Sequence, residues 1–437
     1  MRNVLIVARN FAPASHVSVE RATKLAKYLP QFGWRPTVLT GQKATVGLAE
    51  DPDLLAQVAG IEIIRTRAPE FSMFYGGLGK GSRSPLKRRG VPRRGVLHPK
   101  AWLVPDSQVL WYPFAVRAAM RRARSERWHA VVAMSFPPTA ILIAHAIAGR
   151  LKIPYVIDFR DSWTAYHHAP HRPAPLAEYE RRLEARMIRD AAAVVAVDER
   201  IVEHALVRIA PADRPPLHVI QNGYDEDDFR GTAAAALPPF SIVHTGQLRR
   251  SPRPLWEALT HAMVLRPELR GRVHFWQVGF ADERAIPALE TPPEGVTVHH
   301  VPSVPQREAV SYMLGADLLL VDEFGTIMPS KTLQYLRAAR PILAFLDGGG
   351  VIREVLRAER QAHLVRRDEP ARGGALIASL ASAPRASRGE PSAGVAAYSR
   401  REVARRFAEV LDSSCDPPDG ALPPVEPVGG RNCPAPF

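Results

Sequence analysis

The sequence predicts an α/β protein made of two doubly wound domains, each with a parallel sheet covered by helices. Three observations carry this expectation. Short continuous apolar runs alternate with helix-period segments through the first half of the chain. Such runs fit strands buried on both faces of a parallel sheet. The rhythm then breaks at "GTAAAALPP", residues Gly231–Pro239, which is small and ends in proline like a linker. It restarts at Ser241 with the same alternation. The length of 437 residues and the 46% hydrophobic content leave room for two sizeable cores.

The elements follow in order. Strands are expected at Val4–Ala8, Thr37–Thr40, Ile61–Arg65, Val131–Met134, Tyr155–Phe159, Ala193–Val197 and His218–Ile220. Helices fall between several of them: Val19–Phe32, with Ala22, Leu25, Ala26 and Leu29 on one face, then Leu176–Ile188 and Glu199–Val207. The second set of strands is Ser241–Thr245, Val273–Val278, Val296–His299, Leu318–Val321 and Ile342–Phe345. Its helices are Pro254–Val264, Gln306–Leu314, Lys331–Ala339 and Val351–Arg357. The expected division is a first domain over 1–230, a linker over 231–240 and a second domain over 241–395. A C-terminal helix lies within 396–411, and whether it crosses back is open. The proline-rich stretch 412–437 is expected to be disordered, because it has little to bury. Two such domains facing each other leave a central cleft lined by the carboxyl ends of both sheets, where ligands bind in open α/β folds.

Composition narrows the function. Lys and Arg number 58 against 44 acids, a net charge of +14, which suits an anionic partner. Residues 71–105 hold no acid and eight basic residues among glycines and prolines, and read as a mobile basic loop. The alternative is a solvated insert without a ligand. Cys415 and Cys433 give neither a disulfide framework nor a zinc spacing, which fits a reducing, cytoplasmic setting. The start "MRNVLIVARNF" reads as a first strand rather than a signal sequence. The uncharged run 130–149 is split by Pro137-Pro138, so a buried strand followed by a buried helix is expected rather than a membrane span. There is no G-x-x-x-x-G-K-[ST] and no G-x-G-x-x-G, so neither a P-loop nor a dinucleotide fingerprint is supported. Asp51-Pro52-Asp53 and the histidines form no convincing ligand set, and no metal site is expected. The basic residues lack aromatic interleaving or a nucleic-acid module, so no nucleic-acid partner is expected.

Four stretches bear chemistry. In "TIMPSKTLQYLRAARPILAF", Pro329-Ser330 starts a short helix and Arg340-Pro341 stops it. Lys331 then lies in the first turn, where free N–H groups already favour anions over cations. A bound phosphate reverses that argument, since helix end and ammonium act on one anion. Gln334 shares the face of Lys331 and suits sugar hydroxyls. An ordinary solvated helix face is the competing explanation. In "HTGQLRRSPRPLWEAL", a strand ends at Gly246 and Arg249, Arg250 and Arg253 follow, a diphosphate clamp or a surface Arg cluster. In "VIDFRDSW", Asp158, Arg160 and Asp161 end a strand, to position a hydroxyl, act as a base or lock a loop by an Asp–Arg pair. In "VIQNGYDEDDF", Asn222-Gly223 marks a turn or hinge.

These stretches, in this order, resemble the family-4 retaining glycosyltransferases of the GT-B fold. The opening "NFAPASHVSVERATKLAKYLPQFGWRPTVLT" and "VPDSQVLWYPFAVRAA" resemble members of the group as well. The resemblance covers about residues 1–411. It implies two Rossmann-like domains, the second holding a nucleotide-sugar and the first its acceptor. It implies sugar transfer with retention, without an obligatory metal or other cofactor, and the hexosyltransferase class. Arg249, Arg250 or Arg253 then binds the diphosphate, which of them being open, and Ser330 and Lys331 bring a helix N-terminus to the same group. Arg249, Arg253, Lys331 and Asp158 are the expected catalytic set; Gly246, Arg250, Ser330, Gln334 and Thr326 the donor-binding set.

Gln334 and Thr326 stand where the family usually has Glu. The first loop, "PASHVSVER", lacks the usual glycines, so His16, Ser15 and Ser18 replace backbone contacts, and Arg21 faces the cleft. His16, Ser18, Arg21, Arg160 and Asp161 are the acceptor-side set. The acceptor implied is a polysaccharide, glycolipid or lipid-linked glycan. Basic residues 78–100, with Trp102, Trp111 and Tyr112, suit contact with an anionic membrane. Two alternatives keep the fold: a nucleotide-sugar epimerase, or a binding protein impaired in catalysis.

Overall fold

The structure, a computed structural model, describes residues 1–15, 17–42, 49–69, 99–165, 172–323, 328–382 and 389–416. It divides into two compact units. One is Met1–Ile220 with the chain from Ala404 onward; the other is Gln221–Val403.

The first unit holds strands β1 (Arg2–Val7), β2 (Trp34–Gly41), β3 (Glu62–Thr66), β4 (Ala130–Met134), β5 (Tyr155–Phe159), β6 (Ala193–Ala196) and β7 (Leu217–Val219). They pair in the order β3-β2-β1-β4-β5-β6-β7, all parallel. The central strands are continuously apolar because helices cover both faces; β4 reads AVVAM and all five residues are buried. Its helices include α1 (Val17–Tyr28), α2 (Thr139–Leu151) and α3 (Ala174–Arg189). The uncharged run 130–149 resolves into β4 and α2, and among the described residues no helix is long and apolar enough to cross a membrane. The expected helix through Phe32 instead gives way to a 3-10 turn at Leu29–Phe32, because Pro30 lacks the N–H that would continue α1.

The second unit holds β8 (Ser241–Thr245), β9 (Val273–Val278), β10 (Val296–Val301), β11 (Leu318–Asp322), β12 (Ile342–Phe345) and β13 (Ala362–Val365). Their order is β10-β9-β8-β11-β12-β13, again all parallel. Among its helices are α4 (Arg253–Leu265), α5 (Ser330–Ala338) and α6 (Pro370–Ser382). One apolar core, with Leu255, Leu259, Phe275 and Phe345, lies on one face of the sheet. A second, with Val243, Leu333, Leu336 and Ile352, lies on the other.

In each sheet the order reverses beside the first strand, between β1 and β4 and between β8 and β11. Such a reversal opens a crevice at the carboxyl ends of the strands.

The boundary differs from the expected one. Residues 231–239 do not link the units; they belong to the second, lying mostly exposed along it and anchored by Ala235 and Leu237. Ala235 N–H donates to Ser311 O at 3.0 Å, and Leu237 is 8% exposed within the core of Val310 and Met313. The chain passes between units at Ile220–Gln221 instead. The C-terminal helix α7 (Arg400–Cys415) runs past the expected end at 411. Its last turns belong to the first unit, where Trp34 Nε1 donates to Asp412 at 3.1 Å. Of the expected basic loop, 71–98 lies outside the described residues, as does 417–437 of the tail.

Candidate functional site

The carboxyl edge of the second sheet gathers the expected donor-side residues that the structure describes. Gly246 follows β8 at φ +84°, and Gly279 follows β9 at φ +124°, both conformations that favour glycine. A Cβ on Gly279 would lie 2.5 Å from Gly246 O, so the two turns are nested. Gly246 N–H donates to Val278 O at 2.8 Å, which ties the turn to β9.

Helix α5 starts at Ser330 after Pro329, with no side-chain cap on its first turn. Lys331 sits in that turn with its side chain 13% exposed. Its stem passes Gly246, since a Cβ there would lie 4.0 Å from Lys331 Cδ. Its Nζ is 2.9 Å from Glu323 Oε1 and 2.8 Å from His244 Nε2. Lys331 therefore stands at the reversal point of the sheet, between the end of β8 and the residue after β11. Tyr335, one turn further along α5 and fully buried, accepts from Thr245 N–H at 2.7 Å and fixes the helix to β8. Desolvation raises the Tyr335 phenol, with Lys331 opposing it, so the hydroxyl stays protonated. Ser330 and Gln334 are each 8% exposed, and Ser330 Oγ is shut from solvent without a hydrogen-bond partner. A buried hydroxyl in that state costs free energy unless a ligand satisfies it.

The arginines divide. Arg250 lies near enough to Arg367 to depress it. Arg367, just past β13, pairs with the buried Asp322 and, at 3.7 Å, with Asp347. Burial first, then Arg250, pushes Arg367 down to about 10. Asp322 and Asp347 already supply carboxylates to the Arg367 guanidinium. Arg249 is exposed and donates to Gln247 at 3.2 Å. Arg253 opens α4 with its side chain 81% exposed and pairs with Glu257 along its own helix at 2.6 Å. Neither is brought to Lys331 by any contact described. Thr326 lies outside the described residues.

The first unit corrects the roles expected of Asp158 and of Arg21, which is bound to it and does not face a cleft. Asp158, expected as a catalytic carboxylate, is 0% exposed. Arg21 binds both its oxygens, Nε to Oδ2 and Nη2 to Oδ1, each at 2.8 Å, and is itself 2% exposed. Arg21 Nη2 also donates to Ile220 O at 3.0 Å. Both oxygens of this solvent-shielded carboxylate are held by one guanidinium, so the pair locks α1 to β5 and, through Ile220 O, to the end of the unit. Arg160 turns back, its Nε donating to Ser135 O at 2.9 Å, and burial lowers its pKa. Asp161 is exposed. His16 lies outside the described residues; Ser18 lies in α1, with its side chain outside them.

His244, Gln277, Gly279, Glu323, Tyr335 and Arg367 were not singled out from the sequence. One signal was available for two of them: His244 and Gln277 are polar residues inside the apolar strands SIVHT and VHFWQV. Among the described residues no three His, Cys, Asp or Glu side chains are grouped to hold a metal ion. Two cavities of about 540 and 510 Å³ lie elsewhere in the second unit, lined in part by Arg353, Arg357 and His363 and by Tyr224 and Arg337. In the first, Arg353 is already spent on Leu346 O and Gly348 O, each at 2.6 Å.

Residues 18–223 match the model of the glycosyl transferase 4-like domain. No curated protein sequence matches the chain. Among solved structures, α,α-trehalose 6-phosphate synthase from Burkholderia multivorans superposes with a TM-score of 0.59 at 12% identity, covering 95% of this chain and 99% of its own. Anabaena HepE, solved with UDP and glucose, gives 0.54 at 14%, covering 94% and 100%. A UDP-N-acetylglucosamine 2-epimerase assignment from Listeria monocytogenes gives 0.51 at 12%, covering 95% and 97%. At these identities the likeness is one of fold. Residues 18–223 are thus similar to a glycosyl transferase 4-like domain, and the chain has the GT-B fold.

Proposed function

We propose that the protein is a retaining glycosyltransferase of the hexosyltransferase class. It uses a nucleotide-sugar donor without a metal, and transfers the sugar to a polysaccharide, glycolipid or lipid-linked acceptor. The observation that carries the reading is Lys331, a cation in the first turn of α5, beside the Gly246 turn at the reversal point of the sheet. The donor diphosphate takes the anion position that helix end and ammonium define together. Arg250 adds positive charge at the same edge, and Ser330 and Gln334 supply hydrogen bonds. HepE, with UDP and glucose bound, shows that this fold accommodates such ligands in another protein.

In the reaction, the bond between the sugar's anomeric carbon and the β-phosphate oxygen breaks. The acceptor oxygen bonds to that carbon on the same face, and its proton passes to the departing phosphate. Charge grows on the diphosphate as the bond breaks. Preorganised cations at that point stabilise the transition state more than the ground state. The acceptor belongs to the first unit, and residues 78–100 bring the enzyme to an anionic membrane surface on the cytoplasmic side.

A second reading is a nucleotide-sugar epimerase, favoured by the Listeria structure of the same fold. One experiment separates them. The full chain is incubated with a panel of nucleotide-sugars and glycan acceptors, and thermal shift, nucleoside diphosphate release and product sugar are followed. Release with transfer supports the transferase. An epimerised nucleotide-sugar supports the alternative, and a thermal shift without turnover supports a binding protein.

A further inference from the structure

His244 and Gln277 are register partners on the neighbouring strands β8 and β9. They are 1% and 0% exposed. Polar side chains that deep need hydrogen-bond partners, and here the partners form a chain with a direction. Gln277 Nε2 lies 2.9 Å from Gly246 O and 3.4 Å from Phe280 O. Both are acceptors, so the amide must present its NH2 to them. Turning it over would set three oxygens together. Its Oε1 therefore faces His244 Nδ1, at 2.6 Å, and only accepts. Nδ1 carries the proton, and Nε2 keeps a lone pair. Lys331 Nζ, 2.8 Å from that lone pair, donates to it.

The other protonation states fail in this setting. The opposite tautomer puts an Nε2–H against an ammonium and a lone pair against Oε1. An imidazolium puts two cations in contact. Burial, then Lys331, holds the imidazole pKa well below the usual histidine range, with the Gln277 bond opposing weakly. Among the described residues the groups facing His244 are Gln277 from β9 and Lys331 from α5, with Glu323 after β11 reached through Lys331.

We infer that His244, fixed by Gln277 as the neutral Nδ1–H tautomer, is a positioning residue that aims Lys331 without cancelling its charge. This rests on the reading of Lys331 as the diphosphate-binding cation. An ammonium has three N–H donors. One goes to Glu323, whose carboxylate offsets the charge; one goes to His244, which does not. The neutral acceptor holds the side chain against the Gly246 turn and takes nothing further from the charge that Glu323 already offsets in part. Gly246, Gln277, His244 and Lys331 thus form one unit, in which a backbone carbonyl sets a tautomer and the tautomer sets a cation.

Two measurements test this on the full chain. The first is independent of activity. Imidazole ¹⁵N spectra with histidine labelling, assigned with His244→Gln, are recorded from pH 7.5 to 5.5. The inference predicts a neutral ring throughout, protonated at Nδ1. A ring protonated at Nε2, or one that titrates near pH 6.5, overturns it. The second reads the consequence, with inorganic pyrophosphate as the probe. His244→Leu is expected to weaken pyrophosphate binding about ten-fold, the cost of one hydrogen bond to a charged group, and His244→Gln, whose amide oxygen still accepts, is expected to restore most of it. Equal affinity in wild type and His244→Leu overturns the positioning role. If no nucleotide-sugar is turned over by the wild type, the functional reading falls, while the ring spectrum still decides the tautomer.

Discussion

Replacing Lys331 by Ala removes one ammonium from the first turn of α5 and leaves Glu323, 28% exposed, without its partner at 2.9 Å. The pair then goes from neutral to a net −1, a carboxylate alone. Two unit charges 4 Å apart interact by about 4 kcal/mol at an effective dielectric of about 20. Lys331 is 13% exposed, so solvent screens part of that. A remaining difference of about 2.7 kcal/mol in the transition state corresponds to about 10²-fold in rate, the range for a lost oxyanion donor. Turnover is measured as nucleoside diphosphate release with the best donor of the panel, alongside a thermal melt to exclude unfolding. Lys331→Ala with Glu323→Gln is the companion variant. If the unpaired carboxylate contributes, the double variant recovers part of the loss. A single variant that folds and turns over like wild type refutes the assignment of Lys331.

Three further outcomes rest on the same geometry. Asp158→Ala leaves the Arg21 guanidinium buried without its carboxylate; unfolding free energy is expected to fall by about 3–5 kcal/mol in a urea titration, whereas a normal melt with lost turnover would restore a catalytic Asp158. Gly279→Ala forces a Cβ to within 2.5 Å of Gly246 O at φ +124°, so a loss of about 1–3 kcal/mol and weaker donor binding are expected, and unchanged stability would contradict the nested turns. The third concerns acid. The folded-state pKa of His244 is depressed, so below pH 6.5 the unfolded chain binds a proton that the folded one refuses. The stabilisation is fully present above pH 6.5 and is lost as pH falls toward the folded pKa, by up to about 1.4 kcal/mol per pH unit. Urea titrations at pH 6.5 and 5.5 should show a smaller acid loss in His244→Gln than in wild type; equal losses would contradict a neutral buried ring.

What was legible in the sequence was whatever repeats locally. Tyr155–Phe159, Ser241–Thr245, Val273–Val278 and Ile342–Phe345 coincide with the expected strands, because strands inside a helix-covered parallel sheet are mostly apolar, although Asp158, His244 and Gln277 interrupt three of them. Strand β13 was missed: AHLV lies at the edge of its sheet, and its first three residues are only partly buried. Helix α6 was missed because Gly373-Gly374 looks like a break. There the glycines permit close packing instead, since a Cβ on Gly374 would lie 2.7 Å from Ala258 O of α4.

The site divides in the same way. Lys331, Ser330 and Gln334 were legible because a helix start is a local signal. Glu323 and His244 were not, because only the sheet order brings the ends of β8 and β11 to one lysine. Arg21 and Asp158 were both noticed, in separate roles. Their separation of 137 positions hid the pairing that removes Asp158 from the chemistry.

The central claim is that the carboxyl edge of the second sheet, at the start of α5, seats the diphosphate of a nucleotide-sugar. A crystal structure of the full chain with a nucleoside diphosphate tests it most directly. The account predicts a phosphate oxygen within hydrogen-bond distance of Lys331 Nζ, with the nucleotide beside the Gly246 turn. A diphosphate bound away from Lys331 and the first turn of α5 would contradict it.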